Sequence, residues 1–517
     1  MTEATLGSIL LRHTTRRGDK VALRFQESSC TYAELERRAC QIANGLQAGG
    51  IRSGDRVAWL GKNSLSYFEY LVGAAKVGAV MVPINWRLAP PEIEFLLEDC
   101  RPAWVVVEPE FAAMLPKATG ARRTLRAGGD ADEYTPWREE QSARDPGRVA
   151  EVTEPALQLY TSGTTGRPKG AVLTHRSLFG LREDIARLGE PDWYRWTADD
   201  VSLIAMPVAH ISGTGWGLWT LHYGATGIIT REFDPHAIFD LLTRHRVTKV
   251  MMVPTAMQIA VRHPGSRQTD FSFLRYIYYG GSPIPPDLQQ ECMAVFGCGF
   301  VQMYGMTETA GTIVALAPDD HGPGAGSRAG AVGRPLPGVE LRIVDASGTT
   351  MPTGESGEIA TRSVANMAEY FNRPEATAET VDAAGWLRTG DAGFLDAEGY
   401  LHLRDRVKDM IISGGENVYP VEVENAVRGH PDVADVAVVG VPDEKWGERV
   451  LAVVVLRPDA KADSAAIITW ARERIAAYKA PKSIEFVTEL PRNASGKVLR
   501  RELRERFRTQ GAPAARS

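Results

Sequence analysis

At 517 residues the chain is long enough for two or three domains with a large buried core, and its 44% hydrophobic and 24% charged residues are those of an ordinary globular protein. A formal net charge of -5 excludes wholesale binding to nucleic acid or anionic lipid, so any basic site must be local. Five cysteines, Cys30, Cys40, Cys100, Cys292 and Cys298, are odd in number and lack CxxC spacing; they read as buried thiols of a reducing compartment, not as a disulfide framework or zinc site.

Along the chain, Thr31 and Glu34 form a capping box. Leu35, Ala39, Ile42, Ala43 and Leu46 then share one face of a helix that ends near Gly49 and Gly50. Apolar runs at 57–60, 80–83 and 104–107 read as strands, alternating with helices through Ala75 and at 92–97, and this alternation predicts a parallel sheet. The run at 70–84 is cut by Lys76, and no stretch is long and apolar enough to cross a bilayer. The first residues also lack the apolar core of a signal peptide, so the cytoplasm is the expected location.

After a glycine-rich segment the pattern resumes, with strands at 201–206, 249–253, 276–279 and 300–304: a second parallel sheet or a continuation of the first. Between 327 and 362 short strands and tight turns predict a small antiparallel subdomain. The charged run 404–409 separates it from a last block in which Pro420 opens a helix. There 433–441 and 450–456 are strands, and Ile467, Ile468, Ala471 and Ile475 mark an amphipathic helix. The tail from Gly511 is small and polar, and is expected to be disordered.

Residues 160–170 read YTSGTTGRPKG, a loop built to hold a polyphosphate. Gly163 and Gly166 let the backbone turn its N–H groups toward an anion, Thr161, Ser162, Thr164 and Thr165 add hydroxyl donors, and Lys169 adds a point charge. It is not the common P-loop, whose glycine stands four residues before a Gly-Lys-Ser/Thr triplet. A flexible linker would have no need of Pro-Lys-Gly followed at once by apolar Ala-Val-Leu.

Further segments share this polar, glycine-rich texture: MPVAHISG at 206–213, YGGS at 279–282, MYGMTET at 303–309, WLRTGD at 386–391 and GYLHLRDRVKDMIISGGENVYP at 399–420. Near the end, PRNASGKVLR at 491–500 isolates Lys497 between a glycine and an apolar residue. At these residues the chain resembles the adenylate-forming superfamily of acyl-CoA synthetases, peptide-synthetase adenylation domains and luciferases, from about residue 8 to residue 508.

The resemblance implies an α/β fold with a large N-terminal domain, 1–405, of parallel sheets flanked by helices plus the small antiparallel subdomain. A hinge at 406–408 follows, centred on Lys408, then a small mobile α+β C-terminal domain, 409–517, that carries Lys497. It implies ATP, Mg²⁺ and CoA as cofactor and co-substrates. The loop Thr161, Ser162, Gly163, Thr164, Thr165, Gly166 and Lys169 would hold the β- and γ-phosphates, with Thr161 and Glu308 near the metal. Gly280, Gly281, Ser282 and Tyr304 would form the adenine slot and Gly305 and Met306 would also bind the nucleotide, with Thr307 beside the α-phosphate and Asp391 and Arg406 at the ribose. Lys497 would bridge carboxylate and α-phosphate during adenylation.

For thioester formation Ser413, Gly414 and Gly415 would wall a pantetheine tunnel, and Trp446, Lys479 and Lys482 would hold the CoA nucleotide. His210, Gly213, Trp216, Tyr278, Gly281 and Met306 would line the acyl pocket, with His210 near the thiol tunnel and in a catalytic role. The segment 208–211 lacks the acid that amino-acid-activating domains carry, which argues against an amino-acid substrate. The expected activity is an AMP-forming acyl-CoA ligase. The glycines of 210–217 leave room for an elongated pocket, so a medium- or long-chain fatty acid is the expected acid. Trp216, Tyr278 and Met306 could instead close the pocket for an aryl acid, and an acyl-AMP ligase that loads a carrier protein is the other reading. No nucleic-acid partner is expected; the chain would act as a monomer or homodimer, with peripheral membrane contact left open.

Overall fold

The computed structural model describes residues 4–161, 168–234, 237–282, 284–321, 328, 330–406, 409–413, 416–443, 446–458, 460–492 and 498–508; for 405, 406, 412, 416 and 417 it describes the backbone alone. By backbone contacts the chain divides into two compact units, 1–341 with 361–387, and 342–360 with 388–517.

The first unit holds two separate sheets. One runs Glu369–Tyr370, Lys169–Thr174, Pro155–Thr161, Val80–Ile84, Arg56–Leu60, Trp104–Val107, Arg123–Arg126 in spatial order. Its strands from Pro155–Thr161 to Arg123–Arg126 are parallel, and Lys169–Thr174 returns antiparallel on Pro155–Thr161. Every residue of Val80–Ile84 and Trp104–Val107 is buried, the continuous apolar pattern of strands covered on both faces. Helix Pro90–Cys100 covers part of this sheet through Ile93, Leu96, Leu97 and Cys100.

The other sheet has a parallel centre of Gly299–Met306, Tyr276–Gly280, Lys249–Met252, Val201–Ile204, Thr226–Ile229 and Val21–Phe25. Antiparallel strands Gly311–Leu316 and Ser28–Thr31 flank it. The expected second parallel sheet is therefore present, but it takes in the hairpin Val21–Phe25 and Ser28–Thr31 from near the N-terminus, which local pattern did not flag. Helices Ala237–Arg244, Pro254–Val261 and Pro286–Phe296 bury Leu242, Met257 and Cys292 against one face of it.

The capping box at Thr31 is present: Thr31 Oγ1 accepts from Glu34 N–H at 3.1 Å and Glu34 Oε2 from Thr31 N–H at 2.8 Å. Cys30, Cys40, Cys100 and Cys292 are buried free thiols and Cys298 is half-buried; burial pushes each up to about 12.

In the second unit Leu387–Leu395 and Leu401–Arg406 pair antiparallel beside Gly357–Arg362 and Glu340–Val344. The C-terminal sheet pairs Val433–Asp443 with Gly447–Leu456 antiparallel, and lays Ile411–Ser413 and Ser483–Phe486 along the latter. Strand alternation sends Val436, Val438, Val450, Ala452 and Val454 to one core and Ala437, Val439, Val441, Leu451 and Val453 to another. The first is covered by Val423 and Val427 of helix Pro420–Arg428 and by Ile467 and Ala471 of Ser464–Arg472, the second by Leu503 and Phe507 of Arg500–Arg508. Each pair is four residues apart, one helical face. No helix among the described residues is long and apolar enough to cross a membrane.

Candidate active site

Strand pairing positions the ends of the polyphosphate loop. Pro155–Thr161 and Lys169–Thr174 form a hairpin in which Thr161 lies opposite Lys169, so the hydroxyl that opens the motif and the cation that closes it face each other in the ladder. Ser162, Gly163, Thr164, Thr165 and Gly166 lie outside the described residues, as do Lys408, Gly414, Gly415, Lys497 and the side chain of Arg406.

Glu308 sits on the short turn Thr307–Thr309 that follows strand Gly299–Met306. The turn is tied by Met306 N–H donating to Thr309 Oγ1 at 3.0 Å. Only 4% exposed, Glu308 accepts at Oε1 from the Thr161 hydroxyl at 3.2 Å and from the Tyr370 hydroxyl at 2.8 Å. Its backbone carbonyl accepts from Met367 N–H at 2.7 Å. Lys169 Nζ stands 4.9 Å from the centre of the Tyr370 ring. A carboxylate from 303–309 thus meets a hydroxyl and an ammonium from the two ends of 160–170. Tyr370 was missed by sequence reasoning: it lies on a two-residue strand, too short for any periodic signal.

The adenine-slot residues come from the ends of two adjacent parallel strands. Gly280 lies so close to strand Gly299–Met306 that a methyl there would overlap the Met303 carbonyl, whereas at Gly281, with φ +82°, the nearest atom a methyl would meet is Val253 Cγ1 at 3.8 Å. Tyr304 is buried, Met306 half-buried and Ser282 exposed. In the second unit the register places Asp391 directly opposite Arg406, so the two ribose-assigned positions share one rung of a ladder.

His210 caps helix Ile211–Tyr223 at its N-terminus. Its Nε2 is buried without a hydrogen-bond partner among the described residues. Burial, then the charge of Arg87, holds its pKa below the usual histidine range, so the ring is neutral at pH 7.

A side chain at Gly213 would strike the Pro207 carbonyl and one at Gly217 the Phe68 ring, so these two glycines allow close packing. Trp216, 2% exposed, makes edge contacts with Trp196 at 4.9 Å and Tyr278 at 5.1 Å. Tyr278 is fully buried and its hydroxyl donates to the Trp193 carbonyl at 2.5 Å. Trp219 packs at a tilt against Trp216, 5.7 Å between ring centres, with the Arg182 guanidinium 3.1 Å above its ring. The layer between helix and sheet is thus filled by aromatic rings.

Of the residues assigned to CoA, Lys482 Nζ lies 5.5 Å from the Trp446 ring centre and donates to the Ala477 carbonyl at 2.9 Å. Burial, then Arg472, lowers its pKa. Lys479 instead pairs with Glu422 at 2.6 Å and would have to leave that carboxylate to meet a phosphate. Ser413 is buried, opposite Gly447 in the ladder.

Two parallel-centred sheets that bring a polyphosphate hairpin to a buried carboxylate, followed by a small antiparallel C-terminal sheet, define the adenylate-forming class. The sequence profile of the AMP-binding enzyme family matches residues 10–371, and that of the AMP-binding enzyme C-terminal domain matches 422–497: the chain belongs to this family. Over 480 residues it is 44% identical to a fatty acid–[acyl-carrier-protein] ligase, ScoC, of Streptomyces coeruleorubidus, covering 92% of this chain and 91% of that one. It is 42% identical to a feruloyl-CoA synthase of an Amycolatopsis species, over 97% of this chain and 99% of the relative. The crystal structure of ATP-bound MatB from Rhodopseudomonas palustris superposes with a TM-score of 0.89 at 33% identity, covering 98% of this chain and 100% of that one. The protein is an AMP-forming acid–thiol ligase.

Proposed function

We propose that the protein activates a compact carboxylic acid, aryl or short-chain, as its acyl-AMP with release of pyrophosphate, and then passes the acyl group to CoA with release of AMP. The observation that carries the choice of acid is the aromatic block of Trp196, Trp216 and Tyr278 behind His210. A long alkyl chain entering past His210 would need the space those rings fill. The relatives' names divide between fatty and aryl acids; the block favours the compact alternative over the fatty acid expected from the glycines.

The chemistry follows from charge. A carboxylate is a poor electrophile because its leaving group would be oxide, and conversion to acyl-AMP supplies a good one. Carboxylate and α-phosphate repel until a cation bridges them, the role proposed for Lys497. Lys169 and the hairpin loop hold the β- and γ-phosphates. Glu308 and Thr161, joined at 3.2 Å through Glu308 Oε1, bring hard oxygen donors together, a set that fits Mg²⁺, which when bound would neutralise phosphate oxygens. Gly280, Gly281, Ser282 and Tyr304 take the adenine, Thr307 the α-phosphate, and Asp391 with Arg406 the ribose. Neutral His210, whose Nε2 has no hydrogen-bond partner among the described residues, hydrogen-bonds the acyl end without adding charge. For the second step Trp446 and Lys482 stack and pair with the CoA nucleotide, and 408 is the hinge.

A carrier-protein acceptor is the second reading, favoured by the name of the 44% identical relative. The juxtaposition of Trp446 and Lys482 supports free CoA. One panel tests both readings: aryl, short and long aliphatic acids assayed for pyrophosphate release and for CoA-dependent AMP formation. Turnover confined to long fatty acids would overturn the compact-acid reading, and acyl-AMP formation without CoA consumption would move the acceptor to a carrier protein.

A further inference from the structure

We infer that Tyr370 is a positioning residue for the adenylation site, holding Glu308 and Lys169 in register; this rests on the proposed function. A carboxylate 4% exposed must be hydrogen-bonded, and here both hydroxyl donors, Tyr370 at 2.8 Å and Thr161 at 3.2 Å, fall on the same oxygen, Oε1. Among the described residues no hydrogen bond is made to Oε2, which makes it the oxygen available to a cation. Two donors on one oxygen also fix the plane of the carboxylate, which a single donor would leave free to turn.

The same side chain reaches the lysine. The Tyr370 ring presents its face to Lys169 Nζ at 4.9 Å, an attraction that holds the ammonium at the mouth of the loop when no phosphate competes. The backbone around it is anchored to both partners. Tyr370 pairs with Ala171 in the strand that begins at Lys169, Phe371 N–H donates to the Gly170 carbonyl at 2.8 Å, and Met367 N–H donates to the Glu308 carbonyl at 2.7 Å. Two residues further on, Arg373 pairs with Asp99 at 2.5 Å, and Asp99 accepts from the Tyr160 hydroxyl at 2.6 Å, so the segment is also tied to the strand that delivers Thr161. Segment 367–373 is therefore a strap across the hairpin and the Glu308 turn, with Tyr370 at its centre.

The test uses two variants of the full chain. Tyr370→Phe keeps the ring beneath Lys169 and deletes only the hydroxyl; Tyr370→Leu deletes both contacts. Mn²⁺ binding, read by electron paramagnetic resonance in the presence of an α,β-methylene ATP analogue, reports the metal end without turnover. Tyr370→Phe should weaken Mn²⁺ about ten-fold or more, the scale for a hydrogen bond to a charged group, and shift the Mg²⁺ dependence of pyrophosphate release by a similar factor. Thioester formation from supplied acyl-AMP should be unchanged. Tyr370→Leu should in addition raise the KM for ATP. Wild-type Mn²⁺ affinity in Tyr370→Phe would overturn the inference, as would a lowered melting temperature with equal loss in both half-reactions, which marks a purely structural tyrosine. A wild-type enzyme that forms no acyl-AMP from any acid would overturn the proposed function, while a Mn²⁺ difference between wild type and Tyr370→Phe would still stand.

Discussion

In the proposed roles Glu308 serves the cation and Lys497 the α-phosphate and carboxylate, so their substitutions should separate. Glu308→Gln keeps shape and hydrogen-bonding capacity but removes the charge, so pyrophosphate release should fall roughly 10²-fold, partly restored at high Mg²⁺. Lys497→Ala should fall by a similar factor with no metal rescue, because its proposed partner is the α-phosphate and carboxylate, not the cation. Both variants should still convert supplied acyl-AMP and CoA to thioester. Equal loss of the two half-reactions in Lys497→Ala would contradict its role.

At the scale of one element, helix Ile211–Tyr223 is the proposed determinant of which acid can enter. Its glycines and its tryptophan act in opposite senses. Gly217→Val would drive a branched side chain into the Phe68 ring and should destabilise the protein by about 1–3 kcal/mol, measured as a lowered urea midpoint, without lengthening the acids accepted. Trp216→Ala removes the ring between Trp196 and Tyr278, and should extend the accepted acids by several carbons despite a core-truncation cost of about 3–5 kcal/mol. Unchanged chain-length preference in a folded Trp216→Ala protein would show that the aromatic block is not the pocket's end.

For the whole molecule, the two proposed half-reactions make domain reorientation the natural hypothesis, with Lys408 as its proposed pivot; the two compact units themselves divide at 341/342, 360/361 and 387/388, so Lys408 falls within the second. Lys408→Pro fixes φ and should leave pyrophosphate release largely intact while CoA-dependent AMP formation fails; wild-type turnover in the complete reaction would sink the two-orientation scheme. Stability toward acid is also a global property. Burial pushes His175 down to about 4 and His222 down to about 3, both from 6.5. Because the folded values are depressed, the unfolded chain binds protons first as pH falls. Stability is therefore full above about pH 6.5 and declines through the window down to pH 4, by at most about 1.4 kcal/mol per pH unit for each histidine. Urea midpoints at pH 7, 5.5 and 4.5 measure the slope, and His175→Gln should flatten it.

Local chemistry by itself determined the hydroxyl, glycine and lysine content of the polyphosphate loop and the capping box at Thr31. It also determined the parallel strands at 104–107 and 276–280, because each depends on residues close in sequence: a cap three positions long, or a run buried on both faces. Tertiary structure alone decided that Val21–Phe25 pairs with Thr226–Ile229 and that Pro155–Thr161 joins Val80–Ile84, since strand partners are chosen by which faces can be buried together and leave no trace in local pattern. It decided that Gly213 lies against Pro207 and Gly217 against Phe68, a matter of what stands opposite each missing side chain. It also decided that Tyr370 reaches Glu308 across 62 residues, because a single hydroxyl meeting a single carboxylate oxygen is set by the packing of a hairpin, a turn and a strap, and has no period to read.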